Sequence, residues 1–152
     1  DAFQVMGEAR DVIVVGGGKS QLDAFLAAGL AAVNKVATPD PTPEAGYYYR
    51  SDHFALAKRG VPMFYLRDGQ DLLVGGKEAG AAVNNEYRAK RYHGPKDEFD
   101  ENWDWAGVMS NLDLVYRLGR MLAESRSWPN WNDGDEFRAT RDADCTASSA
   151  GC

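Results

Sequence analysis

Histidine is scarce in this chain: His53 and His93 are the only two in 152 residues. Any chemistry that needs imidazole must therefore run through one or both of them. Cysteine is as scarce, and Cys145 and Cys152 sit in a Ser/Ala/Gly tail with no histidine near them in sequence. Neither is placed like a catalytic thiol. The pair fits either a small disulfide loop, which would suit an oxidising compartment, or two free thiols on a frayed end. No apolar run approaches the roughly 20 residues that a membrane-spanning helix needs. Positive charge is the minority, with 17 Lys and Arg against 23 Asp and Glu and a net charge of -6. No basic stripe is present, which argues against nucleic acid as a partner. A Gly-x-Ser-x-Gly elbow is missing, so no Ser-His-Asp arrangement can be read. There are no internal repeats, no secretory signal peptide and no initiator Met. A chain that opens at Asp1-Ala2-Phe3 reads as cut from a longer precursor.

What is present is ordinary for one soluble domain, with 44% apolar and 26% charged residues. Asp11 to Val15 is a short, continuous apolar run closed by three glycines, which predicts a buried strand. The spacing of Leu22, Phe25, Leu26, Leu30 and Val33 predicts a helix over 21–35, with Ser20 and Asp23 at its start. Pro39, Pro41 and Pro43 argue against regular structure in the next stretch. A short helix over 52–59, stopped by Gly60, and a second buried strand over 61–66 follow. Residues 68–86 carry Gly69, Gly75, Gly76 and Gly80 with few large apolar side chains. They are expected to form a long loop bordering the substrate cleft, where proline or shortening would change KM more than stability. The longest helix is predicted over 103–124, apolar on enough sides to be mostly buried. Trp128 and Trp131 are expected to clamp the tail, which should be disordered beyond Asp142. The element order predicts an α/β layer fold with parallel strands. Two strands are few for a stable sheet, which suggests that others lie upstream.

Gly16-Gly17-Gly18-Lys19-Ser20 invites a phosphate-loop reading. The Walker pattern needs glycine where Ile13 stands, and the dinucleotide fingerprint needs it at Gln21. Both fail, and a tight strand-to-helix turn is the better account. Both histidines lie beside carboxylates: His53 follows Asp52, and Asp97 and Glu98 follow His93. Imidazole with carboxylate is the usual ligand set for zinc. His53 sits at a helix start, where packing competes with ligation. His93 lies between Tyr92 and Gly94-Pro95, where the backbone must turn and project the ring. The other acidic residues near it, from Asp100 to Asp104, suit the first turn of the long helix.

Two segments resemble a known family. Tyr-Arg-Ser-Asp-His-Phe followed by Arg-Gly-Val-Pro (49–62), and Arg-Tyr-His-x-Pro-x-Asp-Glu-x-Asp (91–100), are similar to the C-terminal half of secreted and periplasmic zinc aminopeptidases of peptidase family M28. Glutaminyl cyclase and glutamate carboxypeptidase are more distant relatives. The resemblance runs from Asp1 to about Asp142, with 143–152 as a flexible tail. It implies part of a three-layer α/β/α zinc-exopeptidase fold with a mixed sheet whose N-terminal half is absent.

The resemblance also implies a peptide substrate, two zinc ions per complete site, and an extracytoplasmic location. His93 matches the family's last zinc ligand. The register into Arg10-Asp11-Val12 places another ligand at Asp1. Asp52 and Asp97 would support the metal site by hydrogen bonding, with Asp97 alternatively capping a helix. Tyr92 would line the site, and His53 would stand near it. The first histidine ligand, the bridging aspartate and the Glu-Glu pair that supplies the general base would all lie upstream. No catalytic residue is then expected in this chain, which would need its missing N-terminal half to be active. A non-catalytic binding relative and a glutaminyl-cyclase-like acyltransferase are the alternative functions on the same scaffold.

Overall fold

A computed structural model describes residues 5–147. Its centre is β1 (Asp11–Val15), all five residues of which are buried. Side chains alternate across a strand, so β1 faces two layers at once. Val12 and Val14 pack with Leu26 and Leu30 of α1 (Leu22–Ala32) and with Leu114 and Leu118 of α5 (Ala106–Glu124). Ile13 and Val15 pack on the opposite side with Tyr48, Ala57, Trp131 and Phe137. Tyr48 and Ala57 come from the short helices α2 (Tyr47–Arg50) and α3 (Phe54–Ala57). A strand covered on both faces must be apolar at every position, which is why its sequence is a run and not an alternation.

Among the described residues the sheet has three strands in the order β2-β1-β3, with β2 and β3 as its edges there. β2 (Val36–Pro39) pairs parallel to β1, whereas β3 (Tyr65–Asp68) pairs antiparallel to it. The chain is thus α/β with a small mixed sheet. The two strands expected to lie parallel, β1 and β3, pair antiparallel, and the parallel neighbour of β1 is β2. The strand expected over 61–66 starts pairing at Tyr65, because Pro62 has no amide to donate and Val61 is exposed. β2 was not expected at all. Pro39 fits there because it occupies the last position of an edge strand. Buried Asp11 ties β2 and the segment that follows β3 to one end of β1: one carboxylate oxygen accepts the Thr38 hydroxyl at 2.8 Å, the other the Asp71 amide at 2.8 Å.

The glycine run after β1 is a turn built around an aromatic ring. Gly16 has φ of 86°, and a Cβ there would stand 2.3 Å from the Tyr48 ring. Gly18 N–H donates to the Asp23 carboxylate at 2.9 Å, and Leu22 N–H to the Ser20 hydroxyl at 3.3 Å, so the turn's polar groups are spent on starting α1. Asn34 ends the helix in the left-handed region at φ 53°, and Lys35 N–H returns to the Leu30 carbonyl.

Four expectations need correction. Of the loop expected over 68–86, residues 76–86 are helical, part of the 15-residue helix α4 (Gly76–Lys90). Gly80 serves packing: a Cβ there would stand 2.1 Å from the Gln70 carbonyl. Shortening this segment would therefore remove turns of a helix. The chain beyond Asp142 is not disordered through Ala147, because α6 (Arg138–Ala147) continues there. Cys145 in α6 is disulfide-bonded, and Cys152 lies outside the described residues. α5 is only half covered. Val108, Leu114 and Leu118 are buried, while Met109, Leu112, Val115 and Tyr116 are exposed. One layer of α1 and sheet can cover one side of a helix, and the apolar stripe is wider than that side. Finally, Trp131 is fully buried and clamps the tail, but Trp128 is 71% exposed and does not.

Candidate functional site

A cavity of about 370 Å³ opens where β3, α2, the C-terminal end of α4 and the outer side of α5 meet. α4 brings Tyr87 and Arg88 to it, and the turn after α4 brings Tyr92 and His93. β3 adds Tyr65, Arg67 and Asp68, and α2 adds Tyr47 and Arg50. Val108, Leu112 and Val115 of α5 form the apolar wall.

His93 has φ of 57°, the left-handed region that a residue with a Cβ enters at a cost. Its neighbours hold it there. Gly94 N–H donates back to the Arg91 carbonyl at 2.8 Å, and Asp97 N–H to the Gly94 carbonyl at 3.0 Å. The imidazole stacks on the Tyr92 ring with centres 3.9 Å apart and planes 23° apart. Tyr92 in turn leans on Tyr87, 5.8 Å away. The Tyr87 hydroxyl donates to the Asp97 carboxylate at 2.9 Å. Burial, and then that acceptor, push the Tyr87 phenol up to about 12, so it stays a donor at neutral pH. Asp97 therefore fastens the segment after His93 to α4.

The other expected site residues lie elsewhere. Asp1 falls outside the described residues. Asp52 is exposed beside α3. His53 is turned toward the aromatic core under β1, 4.7 Å from the Tyr48 ring centre and 5.8 Å from that of Tyr65. Its Nε2 is buried and has no hydrogen-bond partner among the described residues. The structure thus brings Tyr92, His93 and Asp97 together and leaves His53 among rings.

Burial lowers the His53 pKa below the ordinary value near 6.5, only partly offset by the Asp52 carboxylate. The unfolded chain then binds the proton more readily than the folded one. Stability from this group is whole above about pH 6.5 and is lost as pH falls through that value toward the folded pKa. Urea midpoints measured from pH 7.5 down to 5 should fall, and His53→Phe should flatten that decline. An equal decline in the variant would assign it to other groups.

Sequence reasoning missed the arginines. Arg67 is buried on β3, with 7% of its side chain exposed, and its Nη1 lies 3.7 Å from Asp40. Arg88 Nη1 donates to the Tyr47 hydroxyl. The guanidinium carbons of Arg67 and Arg88 lie 4.6 and 5.0 Å from the centre of the Tyr47 ring. These residues come from three separate elements, so no local motif could announce them.

The comparison with family models decides the relationship. The model described as Peptidase family M28 matches residues 1–118, which takes in both histidine segments, the whole sheet and most of α5. The chain belongs to peptidase family M28. No curated protein and no solved structure matches it. The family is one of metallopeptidases and is generally zinc-dependent. The peptidase's described residues do not by themselves fit a zinc ion. No three of His, Cys, Asp or Glu come together among them as a possible metal site. His93 offers one imidazole, whereas a zinc site takes three or four protein ligands. No helix among the described residues is long and apolar enough to cross a membrane.

Proposed function

We propose that this chain carries part of the active site of a dizinc aminopeptidase that removes N-terminal residues from peptides. The observation that carries the reading is His93: an imidazole on the wall of the cavity, held in a left-handed turn and stacked on Tyr92. A costly backbone conformation is kept where surrounding contacts fix it, and such positions cluster at functional sites. His93 would supply one ligand and Asp1 another. Tyr92 orients the ring, and the Tyr87–Asp97 hydrogen bond holds the turn against α4.

The remaining ligands and the general base would come from the family's upstream half, as a partner segment of the same catalytic domain. The exposed apolar row on α5 supports this reading. Leu112 and Val115 are about half exposed and also line the cavity, so a segment laid on that face would cover apolar surface and close the site together. The disulfide at Cys145 supports an extracytoplasmic location.

The test is hydrolysis of leucine anilide by the purified protein with and without a zinc chelator. Its polypeptide content is read by denaturing mass spectrometry. Chelator-sensitive activity is expected only when the upstream half is present. Activity by this chain alone would overturn the division of the site.

A further inference from the structure

Lysine is seldom buried, yet Lys35, between α1 and β2, is only 6% exposed. Its ammonium donates to the Ala9 carbonyl at 2.8 Å and to Oδ1 of Asn111 on α5 at 3.3 Å. The Asn111 amide nitrogen in turn donates to the Asp68 carboxylate at the end of β3. Asn111 and Asp68 line the cavity beside His93, whereas Lys35 stands behind them. The charges at the two ends fix the amide between them. An ammonium can only donate and a carboxylate can only accept, so Asn111 must turn its oxygen to Lys35 and its NH2 to Asp68. The reverse orientation would set donor against donor and acceptor against acceptor. Burial lowers the Lys35 pKa from the usual 10.5, and the carboxylates of Glu8, Asp68 and Asp11 act against that shift. The helix that carries Asn111 has anchors of its own. The Ser110 hydroxyl donates to the Glu8 carboxylate at 2.9 Å, and Gly107 packs so closely that a Cβ there would stand 2.1 Å from the Gly7 carbonyl. Lys35 therefore acts on the Asn111 side chain more than on the placement of α5.

We propose that Lys35 is a positioning residue for the cavity: from behind its wall it locks the Asn111 amide and, through that amide, the Asp68 carboxylate. The inference rests on the reading of the cavity as a peptidase substrate site. A substrate in the cavity meets Asn111 and Asp68 and never touches Lys35. Without the ammonium, the amide keeps one charged anchor in place of two and can turn over, which loosens its hold on Asp68. The loss falls on substrate binding, and so on KM, whereas loss of a metal ligand falls on kcat.

The test is NMR hydrogen exchange of the Asn111 side-chain amide in this protein and in two variants. Lys35→Met keeps the apolar stem but cannot donate, and Lys35→Arg keeps a cationic donor. The Asn111 NH2 should exchange about tenfold faster in Lys35→Met and near the wild-type rate in Lys35→Arg. Urea midpoints show whether each variant folds. Should Lys35→Met unfold, Lys35→Gln takes its place with the same expected acceleration, because it keeps an N–H for the Ala9 carbonyl without the charge. A wild-type exchange rate in the folded uncharged variant would overturn the lock, as would equal acceleration in Lys35→Arg. Kinetics on leucine anilide, with the proposed upstream half present, read the effect at the site. KM should rise about tenfold in the uncharged variant with kcat within about threefold of wild type, and Lys35→Arg should restore KM. An unchanged KM, or a fall confined to kcat, would remove the positioning role. The two readings fail separately. Faster exchange in the uncharged variant without hydrolysis by the wild type keeps the lock and removes the peptidase assignment. Hydrolysis with unaltered exchange does the reverse.

Discussion

Trp131→Ala should destabilise the protein by about 3–5 kcal/mol, the range for emptying a buried aromatic site. Trp131 is completely buried, and it packs with Phe137, 5.1 Å between ring centres, beneath Ile13 and Val15 of the central strand. The indole N–H donates to the Gly60 carbonyl at 2.9 Å, so alanine removes a donor as well as volume and leaves that carbonyl unpaired in the interior. The backbone around the ring is tied too: Asn132 N–H donates to the Lys19 carbonyl, and Gln21 N–H to that of Asn130. The Lys19 ammonium meets Asp135 at 2.9 Å. The measurement is the urea midpoint of wild type and variant. Trp128→Ala is the internal control, because Trp128 is 71% exposed and should shift the midpoint by less than about 0.5 kcal/mol. Equal losses at both positions would mean that the tail does not close the second core. This clamp lies beyond residue 118, where the family match ends, yet Trp131 and Phe137 share with Tyr48 and Ala57 the covering of one face of β1.

That contrast shows what the sequence makes legible. β1 could be read because a strand buried on both faces is apolar throughout, and α1 because five large side chains recur on one stripe. The stop at Gly60 was readable because only glycine takes its φ of 82° without strain. β2 could not be read: it has four residues, none of them buried, and ends in proline. α4 could not be read because glycines that admit a close backbone contact look the same in sequence as glycines that make a loop. The breadth of the α5 stripe suggested burial, but what covers a stripe is decided by the rest of the molecule. At the site, scarcity singled out both histidines, and the Tyr-His-Gly-Pro pattern implied the turn at His93. The destination of the His53 ring depended on Tyr48 and Tyr65, and the arginine pair on three elements meeting in space. Neither was available from spacing along the chain.

On the dizinc reading proposed above, His93→Ala, measured together with the proposed upstream half, should lower kcat by more than about 100-fold and reduce bound zinc by one ion per site. Losing a residue that merely orients a ligand already costs about 10–100-fold, so losing a ligand should cost at least as much. Alanine alone would leave an ambiguity. The position has φ of 57°, and any substitution that alters the turn could disturb Tyr92 and the Asp97–Tyr87 bond without touching a metal. His93→Asn resolves it. Asparagine tolerates the left-handed region better than alanine, so it preserves the turn while removing the imidazole. If His93 is a ligand, both variants lose zinc and activity together while their unfolding midpoints stay within about 1–2 kcal/mol of wild type. If His93 only shapes the turn, asparagine restores most of the activity and alanine does not. Wild-type zinc content in both folded variants would remove His93 from the metal site.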